Sequence, residues 1–109
     1  MARIYESQQV CPIARSLDIL RERWMLLIVR DLDRGLSKFS SLARSLEGLT
    51  PRLLSERLKT LEEHGIVERR FYSDHPPRAE YLLTEKGQAL KPVLDAYAAW
   101  GSKFAPAET

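Results

Sequence analysis

The apolar residues of this chain recur at helical spacing from the start, lapse into strand-like runs past the middle, and return to helical spacing at the end. Behind Cys11-Pro12, the residues Ile13, Leu17 and Leu20 fall on one face of a helix. Proline suits a first helical position because the N–H it lacks has no partner there anyway. A second helix is expected to begin near Glu22. Its Trp24, Leu27, Ile28 and Leu32 repeat as i, i+3, i+4 and i+8, and Gly35 stands just past its end. Ser37 is expected to cap a third, short helix with Phe39, Leu42, Ala43 and Leu46 on its inner stripe and Gly48 as its stop. Thr50-Pro51 then joins a good N-cap to a good first residue. The helix they open is expected to run to about His64, with Gly65 stopping it and Leu54, Leu58 and Leu61 facing inward.

The period changes at Ile66. Residues 66–72 are rich in β-branched and aromatic side chains, Ser73-Asp74-His75-Pro76-Pro77 is turn chemistry, and residues 79–83 form a second strand candidate, which together predict a β-hairpin. Thr84 is expected to cap a last long helix carrying Leu90, Val93, Leu94, Tyr97, Trp100 and Phe104. Pro92 must either kink that helix or move its true start downstream. A mainly α fold with one small β-hairpin (α+β) is expected, with an N-terminal arm over 1–10, one domain over 11–104 and a tail over 105–109.

Short helix, glycine, capped helix and hairpin, in that order, make a winged helix-turn-helix. In such a motif the second helix enters the DNA major groove and the first crosses the backbone. With Leu54, Leu58 and Leu61 inward at about 100° per residue, Arg52, Glu56, Lys59 and Glu63 point away from the core, flanked by Ser55 and Thr60. Arg52 is long enough for guanine, Ser55 or Glu56 suits smaller groups or cytosine, and Lys59 is better placed for a phosphate. Thr50, Pro51 and Arg57 complete the candidate face, and the helix N-terminus itself favours a phosphate oxygen. On the wing, His75 and Arg78 flank the stiff Pro76-Pro77 pair, where a cation suits a phosphate or a narrow minor groove. The bland alternative is a solvated helix face and a solvated turn, since Glu56, Glu62 and Glu63 make this helix less positive than many DNA readers.

Composition fits this picture without forcing it. Of 109 residues, 44% are hydrophobic and 29% charged, which suits a single globular domain and excludes a disordered chain. Lysine and arginine number 17 against 15 acids, so the net charge is only +2 and does not imply nucleic acid by itself. Cys11 is the one cysteine, which rules out an intrachain disulfide and a multi-cysteine zinc site; with only His64 and His75 beside it, no metal or cofactor is expected. No glycine-rich phosphate loop, nucleophile elbow or triad spacing recommends an enzyme. The longest apolar stretch, residues 24–29, is far too short to span a bilayer, no signal peptide is visible, and a reducing cytoplasm is the expected compartment.

The landmarks fall in a specific order: Cys11-Pro12, Arg23-Trp24, Phe39 with Leu42, Gly48-Leu49-Thr50, Leu54, Arg57-Leu58-Lys59 and Leu61-Glu62. Gly65-Ile66-Val67, Arg69, Pro76-Pro77-Arg78, Glu80-Tyr81, Leu83-Thr84, Gly87 and Trp100 follow. From Cys11 to Trp100 the chain resembles the HxlR-type family of winged-helix regulators, relatives of the MarR type. It departs from the family pattern at Glu22, where a glycine is common, and at Ser41, where an acid is common. The resemblance implies a homodimer that binds a pseudo-palindromic operator in double-stranded DNA and regulates nearby genes, with repression the expected sign. It also implies a sensing cysteine in some members.

Two features bear on that expectation from the residues themselves. Tyr97, Trp100 and Phe104 form an apolar stripe too wide for so small an interior, so with Leu17 and Leu94 they are candidates for a dimer interface. Cys11 opens a helix whose dipole favours a thiolate, with Arg15 one turn on, which is the profile of a redox or electrophile sensor. A small residue packed at a helix start is the plainer alternative. The rival functional class is a winged helix used as a protein-interaction module without DNA binding. Neither a membrane nor a small-molecule effector is implied.

Overall fold

The computed structural model describes residues 10–107. The expected arm lies outside them except for Val10, as do the last two residues of the tail. Helix α1 spans Pro12–Ile19 behind Cys11 at its N-cap, and α2 spans Arg23–Asp33. The core is built on α2, which buries Met25, Ile28, Val29 and Leu32 at i, i+3, i+4 and i+7. Helix α3 (Phe39–Ser45) lays Leu42 against it, and α4 (Pro51–Glu63) adds Leu54, Leu58 and Leu61. Each such leucine contributes about 1.5–3 kcal/mol relative to an exposed one. Ile66 and Val67 close the core at the foot of an antiparallel hairpin, β1 (Val67–Asp74) with β2 (Pro77–Leu83). Helices α5 (Glu85–Gln88) and α6 (Lys91–Phe104) complete the described chain.

The turn between α3 and α4 contains Gly48 at φ 100°, a left-handed conformation that only glycine adopts without strain. Thr50 Oγ1 then accepts from Leu53 N at 3.2 Å, and Pro51 stands in the first turn, so α4 starts where local chemistry dictates. At its other end, Lys86 Nζ donates to the His64 carbonyl at 2.7 Å and Thr84 Oγ1 to the Ile66 carbonyl at 3.1 Å. Both bonds tie α5 to the carbonyl groups that follow α4.

Four expectations change. Ser37 does not cap α3: Lys38 takes the N-cap position, and Ser37 Oγ donates instead to Glu80 Oε2 at 3.3 Å. Tyr81 N also donates to the Ser37 carbonyl at 2.7 Å, so the segment before α3 covers part of the outer edge of β2. The hairpin turn is tighter than the run of turn residues suggests. β1 continues to Asp74 and β2 begins at Pro77, leaving His75-Pro76 as the connection, joined by a cis peptide. The register slips between Phe71 and Ser73, which is how the strands absorb the extra residue. The final helical stretch divides in two rather than running on from Thr84: Thr84 caps the short α5, and Pro92 falls in the first turn of α6, the later start that was one of its two expected effects. Lastly, Leu94 is less exposed than Tyr97, because it is half-buried against the chain's own core.

Neither α1 nor α6 has a buried residue. Ile13, Leu17, Tyr97, Trp100 and Phe104 are each more than half exposed. The Cα radius of gyration is 15.3 Å. A compact chain of this length would give about 13 Å. Among the described residues, no helix is long and apolar enough to cross a membrane.

Candidate nucleic-acid interface

With its leucine stripe buried, α4 presents Arg52, Ser55, Glu56, Lys59 and Glu63 to solvent. The guanidinium of Arg52 stands at the N-terminal end, 89% exposed, and lies 3.5 Å from Glu56 one turn on. An exposed i, i+4 pair of this kind contributes at most about 0.5 kcal/mol, so Arg52 is easily released to a better acceptor. Thr50 uses its hydroxyl on Leu53 N, and Pro51 has no N–H; the rest of the first turn leaves the positive end of the helix open to an anion. Arg57 does not join this face. It sits on the flank of α4 turned toward α2, with Nε donating to Glu22 Oε1 at 3.0 Å.

The wing lies beside α4. His75 is at its tip, and Arg78 stands in β2 opposite Ser73 rather than in a loop, both exposed. Ser73 Oγ donates to the Pro76 carbonyl at 3.0 Å and stiffens that tip. Lys38 and the wing arginines Arg69 and Arg70 were not among the DNA-contact candidates named from the sequence. Lys38 lies over the Tyr72 ring at 5.5 Å and forms a β-bridge with Glu80, so an exposed cation at the start of α3 is fixed against the wing. Arg69 lies over Phe71 at 5.3 Å and 3.9 Å from Glu62, while Arg70 pairs with Glu68. The Glu-Arg-Arg run carried no signal of which cations the strand would direct outward.

A groove of about 910 Å³ runs between α1, α2 and α6. Leu17, Leu20, Leu26, Leu27, Leu94 and Tyr97 line it, with Arg30, Asp33 and Lys91 among the polar groups. Lys91 Nζ donates to Asp33 Oδ2 at 3.1 Å, and this bond, with the charges of Asp33 and Asp95, raises the lysine above its ordinary pKa. Trp100 and Phe104 continue along α6 as a tilted aromatic pair, centroids 5.3 Å apart. Of the five candidate interface residues, Leu17, Leu94 and Tyr97 line one groove, and Trp100 and Phe104 lie beyond it. Cys11 is half-buried at the α1 N-cap and its side chain makes no capping bond.

The model of the HxlR-like helix-turn-helix family matches residues 19–109. The HTH-type transcriptional regulator YvaP of Bacillus subtilis (strain 168) is 42% identical over 97 residues, covering 88% of this chain and 90% of that protein. The reduced form of the transcriptional regulator YodB from B. subtilis superposes with a TM-score of 0.74 at 36% identity, over 90% of this chain and 98% of that one. The reduced form of the redox regulator HypR gives a TM-score of 0.79 at 33% identity, over 84% and 91% of the two chains. The two superposed regulators share the winged helix-turn-helix fold described above. The chain belongs to the HxlR-like helix-turn-helix family and is a transcriptional regulator.

Proposed function

We propose that two copies of this regulator associate through α1 and α6 and bind a pseudo-palindromic operator in double-stranded DNA as a repressor in the cytoplasm. The carrying observation is α4 itself: Leu54, Leu58 and Leu61 are used by the core, while Arg52, Ser55, Glu56 and Lys59 stand exposed on the opposite face. In this reading α4 enters the major groove, Arg52 reads a guanine edge, Ser55 and Glu56 contact smaller groups, and Lys59 holds a phosphate. The Thr50-Pro51 end of the helix faces a phosphate oxygen. His75 and Arg78 on the wing, with Lys38 at the start of α3, contact the backbone beside it.

Association through α1 and α6 supplies the second reading helix. It covers Leu17, Tyr97, Trp100 and Phe104, which the monomer leaves in water. The direct test of DNA contact is titration of duplex DNA at several salt concentrations. A DNA reader shows log affinity falling with log salt by about 0.9 per phosphate contact, and Arg78→Ala lowers affinity with its melting temperature kept. A winged helix serving only protein partners shows no salt-dependent duplex binding.

A redox response is a second reading, favoured by Cys11 at the head of α1 and by the likeness to the redox regulator HypR. A bridge or adduct at that point would tilt the two subunits and spoil the spacing of about 34 Å between half-sites. Operator binding before and after a thiol oxidant, in the parent and in Cys11→Ser, measures it. Equal responses of the two proteins would leave Cys11 a packing residue.

A further inference from the structure

Glu22 holds the N-cap of α2, where a carboxylate normally accepts from the free N–H groups of its own helix. It makes no such bond. Its backbone is extended, and its side chain crosses to α4, where Arg57 Nε donates to Oε1 at 3.0 Å. The two side chains are 33% and 29% exposed, so water screens the pair only in part. They lie in a cleft of about 210 Å³ with Arg21, Met25 and Thr60. Arg57 is one turn from both Leu53 and Thr60, on the flank between the buried stripe and the solvent face. Glycine, the residue that the family resemblance leads one to expect at this position, could not make the pair.

The partners join two parts of the molecule with different tasks. Glu22 stands at the joint between α1, assigned above to the dimer, and α2. Arg57 stands midway along the helix assigned to the major groove. A carboxylate that engages a guanidinium competes directly with a DNA phosphate for the same donors. Sequence-independent affinity grows with each cation that reaches a phosphate, so a cation held back lowers affinity for all DNA alike.

We propose that Glu22 is a specificity-setting residue: it holds Arg57 across the joint, keeps that guanidinium off the phosphates, and leaves discrimination to the outer face of α4. This rests on the DNA-binding reading above. Glu22 acts only through Arg57 and is in this sense a positioning residue. Releasing it adds a phosphate contact that carries no sequence information, so binding tightens while selectivity falls.

The test uses the full-length chain, a mixed-sequence duplex and a duplex selected from a random pool by the parent, each across a salt series. Glu22→Ala should tighten binding to mixed-sequence DNA roughly tenfold at about 0.1 M salt and steepen the log–log slope by about one. The selected duplex should gain less, so the ratio between the two falls. Glu22→Ala combined with Arg57→Gln should return the slope to that of the parent, and Arg57→Gln alone should not lower it. Glu22→Gln, which keeps the shape and loses the charge, should fall between; it serves if the alanine variant melts early. A slope lowered by about one in Arg57→Gln alone would show that Arg57 already touches a phosphate and overturn the proposal. Unchanged slopes in both Glu22 variants, beside a normal parent slope, would overturn it and leave the DNA-binding reading standing. A parent with no salt-dependent binding overturns both.

Discussion

Ser45 on α3 donates to the carboxylate of Asp31 on α2 at 2.7 Å, and the other carboxylate oxygen accepts from Arg30 Nε at 3.0 Å. Asp31 is 1% exposed and lies among the core residues. The first helix of the helix-turn-helix is thus fastened to α2 by a hydrogen bond to a buried charge, beside the apolar contact of Leu42. Ser45→Ala should leave one oxygen of that carboxylate without its donor and cost about 1–3 kcal/mol by urea denaturation. A loss below about 0.5 kcal/mol would show that the bond contributes little.

Gly87 is buried on the backbone of Ile66. A Cβ placed there would stand 2.2 Å from the Ile66 carbonyl oxygen and 2.9 Å from Leu83 Cδ2. Gly87→Ala should push α5 off the foot of the hairpin and strain the Thr84 bonds to the Gly65 and Ile66 carbonyls. The expected cost is about 1–3 kcal/mol, read as a fall in melting temperature of about 4–8 °C per kcal/mol. An unaltered melting curve would mean that α5 can shift freely.

Trp100 and Phe104 are 63% and 59% exposed, so truncating them removes little from the monomer. Trp100→Ser with Phe104→Ser should convert a dimer at micromolar concentration into a monomer in sedimentation, with the helical circular dichroism retained. A dimer of undiminished stability would place the interface elsewhere.

On DNA, Arg52→Ala should cost about 1–3 kcal/mol and relax preference at one operator position. Lys59→Ala should weaken all sequences alike and lower the salt slope by about one. Base-by-base competition separates the two. Equal discrimination by Arg52→Ala and the parent at every position would remove Arg52 from base reading.

The parts of this fold that were legible in the sequence are those set by neighbours along the chain. Thr50-Pro51 starts α4, Gly65 at φ 72° follows its end, and Leu54, Leu58 and Leu61 mark its buried side, all within one continuous stretch of chain. What was not legible depends on partners far apart in sequence. The helix phase places Arg57 on the flank of α4, but its partner Glu22 lies 35 residues away and carries no local signal. Ser37 has the chemistry of a cap, yet Glu80 across the wing takes its hydroxyl. The hairpin register was hidden because Ser73 to Pro77 are all turn formers, and pairing along both strands decides which two of them turn. The apolar stripe of α6 was visible, but Leu94 could be assigned to the chain's own core only once α6 was packed on α2.

Selection of bound sequences from a random duplex pool tests most directly whether this regulator reads DNA through α4 as a dimer. The account predicts enrichment of two half-sites related by a dyad, with centres about one helical turn, roughly 34 Å, apart. It also predicts that Arg52→Ala broadens the same base in each half-site. Failure to enrich any sequence, together with the absence of salt-dependent duplex binding, would contradict it and leave the fold to a protein partner.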